Sequence, residues 1–290
     1  MSRAIDKLPA PAESRSMKII GLGPSRTGTL GLWQALKTLG YTPFHISELL
    51  PYGFQQMRAL QEAIIANDSD KLFQRAEFDK LFAGYDCIVE SPCYLCPNII
   101  KEYLEDPDVK FILTERTPES WAKSIAGSLG AYHAKLAKPP LSIARYFDSF
   151  IWELTALFKA MTYRWSGGLE PSDPVFNEAL SKSYVDYLES VKALVPADKL
   201  LILNLEKGFG WEEICTFLGK DVPEDPYPRI NAMSDFHVAA EMVVSPAIKK
   251  TMRILTSSAI AIAVVKYFNK IRDTYYIAAR VGTSLNLIYK

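Results

Sequence analysis

Between Ile19 and Gly40 the chain reads I-I-G-L-G-P-S-R-T-G-T-L-G-L-W-Q-A-L-K-T-L-G. Met17 to Leu22 is a short apolar run of strand type. Gly21, Gly23, Pro24 and Gly28 then punctuate a turn, and Leu30, Leu32, Trp33, Leu36 and Leu39 recur at helical spacing up to Gly40, a C′ residue. Strand, glycine-rich turn and helix together aim backbone N–H groups and the positive end of a helix dipole at an anion. Arg26 adds a fixed charge within the turn, and Thr27 and Thr29 add two hydroxyls. A phosphate or sulfate is the expected occupant.

What the stretch lacks narrows the anion. A Walker A loop needs a lysine after its last glycine; here Thr29 follows Gly28, which disfavours a nucleoside triphosphatase. A dinucleotide fingerprint needs a third glycine where Arg26 stands.

Gly21-x-Gly23-Pro24-Ser25-Arg26-Thr27-Gly28-Thr29 resembles the 5′-phosphosulfate loop of sulfotransferases that use 3′-phosphoadenosine 5′-phosphosulfate (PAPS), in the branch with G-x-G-R-T-G-T-x-S-L. Gly31 stands where that branch has serine, and Pro24-Ser25 varies its loop. Further on, Leu113 to Ser124 (L-T-E-R-T-P-E-S-W-A-K-S) resembles the second PAPS signature, whose arginine and serine hold the 3′-phosphate; they correspond to Arg116 and Ser124. Thr117 replaces an aspartate of that signature. Gly210-Trp211 to Gly219 and Pro226-Tyr227-Pro228-Arg229-Ile230-Asn231 are similar to the family's late G-W-x-x-[LI]-C-x-F-L-G and F-P-R-x-N elements. The resemblance covers roughly Met17 to Phe236. It implies a P-loop nucleotide-binding α/β fold with a parallel sheet sandwiched by helices, PAPS as donor and 3′-phosphoadenosine 5′-phosphate (PAP) as product. It implies a donor site made of Gly23, Pro24, Ser25, Arg26, Thr27, Gly28, Thr29, Arg116, Ser124 and Arg229.

The strand pattern agrees with that fold class. Thr42–Ile46, Tyr85–Glu90, Val109–Thr114 and Lys199–Asn204 read as short strands separated by helical stretches, including one from Tyr52 to Phe82. Ser91-Pro92 ends the second of these strands, so Glu90 falls at the carboxyl edge of the sheet, where open α/β sheets bind ligands. Thr117 is placed to cap a helix that has Pro118 at its first position. Residues Gly127 to Leu194 read as helical. They are rich in aromatics, among them Tyr132, Tyr146, Phe147, Trp152 and Phe158, and some of these are expected to wall an apolar acceptor pocket.

Transfer to a hydroxyl needs charge on the leaving group and a base for the acceptor proton. Arg26 is the natural stabiliser; its permanent charge bars it from acting as the base. Two residues compete for that role. Glu-Ser-Pro at Glu90 resembles the family's D-W-P element, and His45 lies where other branches carry a catalytic acid. His45 has the better unperturbed pKa for the task, and Glu90 would need raising by burial; Glu90 is preferred, with His45 as rival or helper. Sulfation-assisted elimination or cyclisation, and a nucleotide-binding module without turnover, remain the alternatives to simple transfer to a small, apolar or aromatic metabolite.

With 290 residues and 49% hydrophobic content the chain can bury one large core. Its 33 basic and 33 acidic residues cancel, so no global field points to nucleic acid. Residues 1–16 read as a flexible lead-in with neither signal peptide nor anchor. Cys87, Cys93, Cys96 and Cys215 form no disulfide scaffold, which suits the cytoplasm, and no His, Cys or acid cluster has metal-ligand spacing. The sulfotransferase-like domain is assigned to 17–245 and a basic, apolar helical tail to 246–290. The tail has eight Lys and Arg against the single acid Asp273, a net of +7. Its apolar run of twelve, Ile254 to Val265, is short of the ~20 residues that span a bilayer. Two readings are open for it: a buried closing helix, or an interfacial helix on an anionic membrane.

Overall fold

The structure is a computed structural model. It describes residues 3–9, 15–49, 54–67, 71–230 and 244–258, together with 262, 265–267 and 269. The chain forms two compact units, Met1–Val244 and Ser245–Lys290.

The first unit is built on five parallel strands: β1 (Ile19–Gly21), β2 (Pro43–His45), β3 (Cys87–Val89), β4 (Lys110–Glu115) and β5 (Leu200–Asn204). Their spatial order is β2-β3-β1-β4-β5. All five lie where the apolar runs put them. β1 is central, with β3 on one side and β4 on the other, so the chain leaves it at the point where strand order reverses. A crevice opens at the carboxyl ends of the strands there, and this is where an α/β sheet takes its ligand. Each strand is short and strands β1 to β3 are buried throughout, which is why they read as unbroken apolar runs rather than alternating ones.

One face of the sheet packs Ile19, Cys87, Val89, Ile112 and Leu203 against Leu32 and Leu36 of α1 (Thr29–Thr38) and Ile214 of a helix near the end of the unit. α1 ends as its sequence demands: Gly40, at φ +86, takes the left-handed position beyond the helix end.

The helical stretch from Tyr52 to Phe82 is two helices, α2 (Phe54–Ala66) and α3 (Arg75–Leu81). The break has local causes. The Asn67 side chain donates to the Cys96 carbonyl at 2.8 Å, and the Gln74 N–H donates to Glu77 at 2.8 Å to start the second helix. Two short helices follow β3: α4 (Pro92–Leu95) and α5 (Asn98–Tyr103).

After β4 comes α6 (Pro118–Ile125), which runs through a five-residue π turn (Ala126–Gly130) into α7 (Ala131–Leu136). Pro118 stands at the first position of α6 as expected, but Thr117 caps with its backbone only. Its hydroxyl and N–H both donate to Glu206, at 3.0 and 2.7 Å. The remaining helices are α8 (Leu141–Ala144), α9 (Ser149–Ser166), α10 (Phe176–Leu194) and α11 (Trp211–Leu218). Trp121 of α6 stacks on Tyr184 of α10, with ring centres 4.4 Å apart, and Trp165 of α9 meets both Trp121 and Tyr187 edge-on.

Residues 244–258 are helical. Most of the tail beyond 258 lies outside the described residues; of the apolar run, residues 254–258, 262 and 265 are described, and Ile254, Leu255, Ile262 and Val265 are exposed. Among the described residues no helix is long and apolar enough to cross a membrane.

Candidate functional site

The turn after β1 is held from below by its own side chains. Thr27 is fully buried; its hydroxyl bonds the Pro24 carbonyl at 2.7 Å and the Thr114 hydroxyl at 2.6 Å. It is therefore a brace between the turn and β4, and its hydroxyl is not offered to an anion as the sequence had led us to expect. Gly23 serves the same contact, since a Cβ there would lie 1.8 Å from the Thr114 hydroxyl. The Ser25 carbonyl accepts from the Trp121 indole at 2.9 Å, and the Ser25 hydroxyl bonds Tyr94 at 2.7 Å.

These anchors hold Arg26 at φ +73, a left-handed conformation that costs a non-glycine residue about 1–3 kcal/mol. Gly28 follows at φ +95 and begins α1 with no side-chain cap. The first N–H groups of that helix are thus left to whatever binds there.

Arg26 is half-buried, and its Nε donates to the Ser124 hydroxyl at 3.2 Å. Arg116 reaches the Arg26 carbonyl at 3.4 Å and pairs with Glu206 at 3.5 Å. Burial lowers the pKa of Arg26 and Arg116 lowers it further, while Glu90 opposes both. Two guanidinium groups kept together in a partly buried place favour a multiply charged anion.

The parallel pairing of β2 with β3 sets His45 opposite Val89, which brings Glu90 beside the imidazole. Glu90 leaves β3 at φ +69, a second non-glycine residue in the left-handed region, and both side chains are buried. His45 Nε2 stands 2.7 Å from Glu90 Oε2. On the other side of the ring, Nδ1 accepts from the Ser47 N–H at 3.2 Å and lies 2.8 Å from the Ser47 hydroxyl. A nitrogen that accepts from a backbone N–H carries no proton. In the neutral ring these partners leave the proton on Nε2, the nitrogen that faces the Glu90 carboxylate and lies 3.5 Å from the Thr29 hydroxyl.

Burial alone would raise the Glu90 pKa. The charge of a protonated His45, with Ser25 and Arg26, outweighs it and leaves the carboxyl below its ordinary value, not raised as the sequence reading required of a base.

Ser25, Arg26, Gly28, Thr29, His45, Glu90, Arg116 and Arg229 all line one cavity of about 700 Å³. Gly23, Pro24, Thr27 and Ser124 do not line it: Gly23, Thr27 and Ser124 act through contacts behind the wall, and the Pro24 carbonyl accepts from Thr27.

The rest of the lining falls into two groups. Leu205, Phe209, Tyr227 and Pro228 lie with the loop and Arg229; the Tyr227 hydroxyl is buried without a hydrogen-bond partner. Leu49 from the turn after β2, and Met57, Leu129, Tyr132, Leu154, Leu157, Phe158 and Met161 from α2, the π turn, α7 and α9, make an apolar wall with Ser47 and Ser128 as its hydroxyls. Of the aromatics expected in that wall, Tyr132 and Phe158 are there, 4.8 Å apart, whereas Tyr146, Phe147 and Trp152 are exposed.

Sequence reasoning missed Ser47, Tyr94, Tyr227 and the π turn. The spacing His45-x-Ser47 was a capping signal that could have been read; the π turn leaves no pattern in the side chains. Cys93 and Cys96 stand at C-x-x-C spacing and are both buried; burial pushes the Cys93 thiol well up and that of Cys96 to about 11, which disfavours the reactive thiolate.

Residues 18–236 match the sulfotransferase domain family. Over 222 residues the chain is 31% identical to the Ava biosynthesis cluster protein M of Aspergillus versicolor, a match covering 74% of this chain and 80% of that one. A sulfotransferase crystal structure from Alicyclobacillus acidocaldarius aligns at TM-score 0.43 and 11% identity, covering 83% of this chain and 96% of that one. With the family's domain matched across most of its length, this chain belongs to the sulfotransferase domain family.

Proposed function

We propose that the chain transfers a sulfuryl group from PAPS to the hydroxyl of a small apolar metabolite, with Glu90 receiving the hydroxyl's proton. One observation carries the reading: a single cavity joins Arg26, Arg116 and the uncapped start of α1 to a wall of aliphatic and aromatic side chains, and the Glu90 carboxylate lies on the same lining. The donor end fits a polyanion. It holds Arg26, Arg116 and Arg229 and the unpartnered Tyr227 hydroxyl, and Gly31 leaves room where a Cβ would meet the Pro228 carbonyl at 2.8 Å. The relative named for a biosynthetic cluster supports a small metabolite as acceptor.

When bound, PAPS supplies the sulfuryl group and departs as PAP. Arg26, steadied by Ser124, is the cation for the charge that grows on the departing phosphate. Arg116 and Arg229 serve donor binding. The acceptor oxygen forms its bond to sulfur as the sulfur–phosphate oxygen bond breaks, and its proton passes to Glu90. His45 Nε2 stands 2.7 Å from one oxygen of that carboxylate, which keeps lone pairs for the proton. Transfer of this kind rests chiefly on positioning and charge, so a carboxylate with a lowered pKa is base enough. His45, its tautomer fixed by Ser47, orients Glu90.

The test is titration calorimetry with PAP, followed by incubation with PAPS and a metabolite extract. Binding of PAP and a product carrying the sulfate mass increment are expected. Absence of PAP binding overturns the donor assignment. A product formed only with PAPS yet lacking sulfate overturns simple transfer in favour of elimination or cyclisation.

A further inference from the structure

The stretch from Lys135 to Trp152 presents large apolar side chains to solvent. Ile143 is 43% exposed, Tyr146 65%, Phe147 37% and Trp152 49%, although α9 keeps Ile151, Leu154 and Leu157 fully inside. These are not scattered single residues. The Tyr146 and Trp152 rings meet edge to face at 5.9 Å, and the Arg145 guanidinium lies 5.0 Å over the Tyr146 ring and donates to its hydroxyl at 3.0 Å. A joined exposed aromatic patch of this kind marks a place of contact. Its flanks carry Lys135, Lys138 and Arg145 against one acid, Asp148, whose carboxylate accepts from the Phe150 and Ile151 N–H groups at the start of α9.

We infer that this edge of the protein rests on the surface of an anionic lipid bilayer. Tyrosine and tryptophan have an apolar body and a polar rim, which suits the boundary between headgroups and acyl chains. The net positive flanks complement anionic headgroups. They argue against a second copy of the chain: a two-fold contact would set the same positive patch against itself, at an electrostatic cost. The contact is peripheral, reversible and weakened by salt.

The test uses the full chain and vesicles of phosphatidylcholine with or without phosphatidylserine. The protein is expected to sediment with the anionic vesicles at low salt and to be released at high salt. With brominated lipid, tryptophan emission should be quenched. Most of that quenching should vanish in Trp152→Phe, which keeps an apolar ring and still binds. The double variant Tyr146→Ser, Trp152→Ser should bind roughly tenfold more weakly. Three outcomes would overturn the inference. The chain could ignore anionic vesicles at low salt. Quenching could be equal in Trp152→Phe, which would move the contact to another of the chain's tryptophans and away from this edge. The chain could self-associate without lipid in a way the double variant abolishes.

Discussion

His45 Nε2 lies 2.7 Å from Glu90 Oε2, and Nδ1 of the same ring accepts from the Ser47 N–H. The two contacts divide the labour between residues that the sequence left as rivals. With Nδ1 engaged by Ser47, the neutral imidazole has no free lone pair for a proton, while the carboxylate has lone pairs to spare. Glu90→Gln should therefore lower kcat on the order of 10²–10⁴-fold with PAP affinity little changed. His45→Asn should be milder and should move the acid limb of the pH–rate profile to higher pH, since it removes the neighbour that pulls the Glu90 pKa down. A dead His45→Asn beside a fully active Glu90→Gln would reverse the assignment.

The same pair makes a prediction about acid stability. Because the folded pKa of Glu90 is depressed, its ionisation stabilises the fold at pH values above the unfolded carboxyl pKa of about 4.3. That contribution is lost as pH falls through the folded value. Denaturant melts from neutral to acid pH should show the difference between wild type and Glu90→Gln shrinking as pH drops. A gap constant across the range would mean that Glu90 is not held in its charged form.

Much of this site could be read from the sequence, and the rest was hidden for physical reasons. The loop from Gly21 to Thr29 announces itself because a tight turn over an anion needs glycine and a cation at fixed places. The His45–Glu90 contact is another matter. It depends on β2 lying beside β3, and strand order is not written in any local pattern. Thr27 and Thr29 look equivalent in the sequence, yet one hydroxyl braces the turn and the other lines the cavity. Periodicity ran on through Phe73 and Phe78, both buried, so the break between α2 and α3 did not interrupt the signal. The exposed Tyr146 and Trp152 are the same residue types as the buried Tyr132 and Trp165 nearby, and only packing tells them apart.

Arg26 and Arg116 should separate in kinetics. Arg26→Ala removes the charge proposed for the leaving group and should lower kcat on the order of 10²–10³-fold or more. It also frees Ser124 from its bond. Arg116→Ala should chiefly weaken donor binding, raising the PAPS KM and the PAP Kd with a smaller loss in kcat. If both variants kept ordinary rates and affinities, the donor site would be elsewhere.

Gly31 offers a test that touches no charge. It lies on the cavity at the start of α1, and a Cβ there would stand 2.8 Å from the Pro228 carbonyl and 3.8 Å from the Tyr227 hydroxyl. Backbone cannot swing away as a flexible side chain can, so Gly31→Ala must displace the segment that carries Tyr227 and Arg229. Alanine is otherwise the better helix former, by about 1 kcal/mol. Propensity and crowding thus pull in opposite directions. If the close approach wins, PAP affinity falls although the helix itself is favoured, and Gly31→Ser, which restores the residue of the resembling loop, should fare no better. Gly127→Ala, where an added Cβ meets nothing within 4 Å, is the control for a harmless extra methyl. Equal PAP affinity for Gly31→Ala and wild type would show that the Tyr227–Arg229 segment is not part of the donor site.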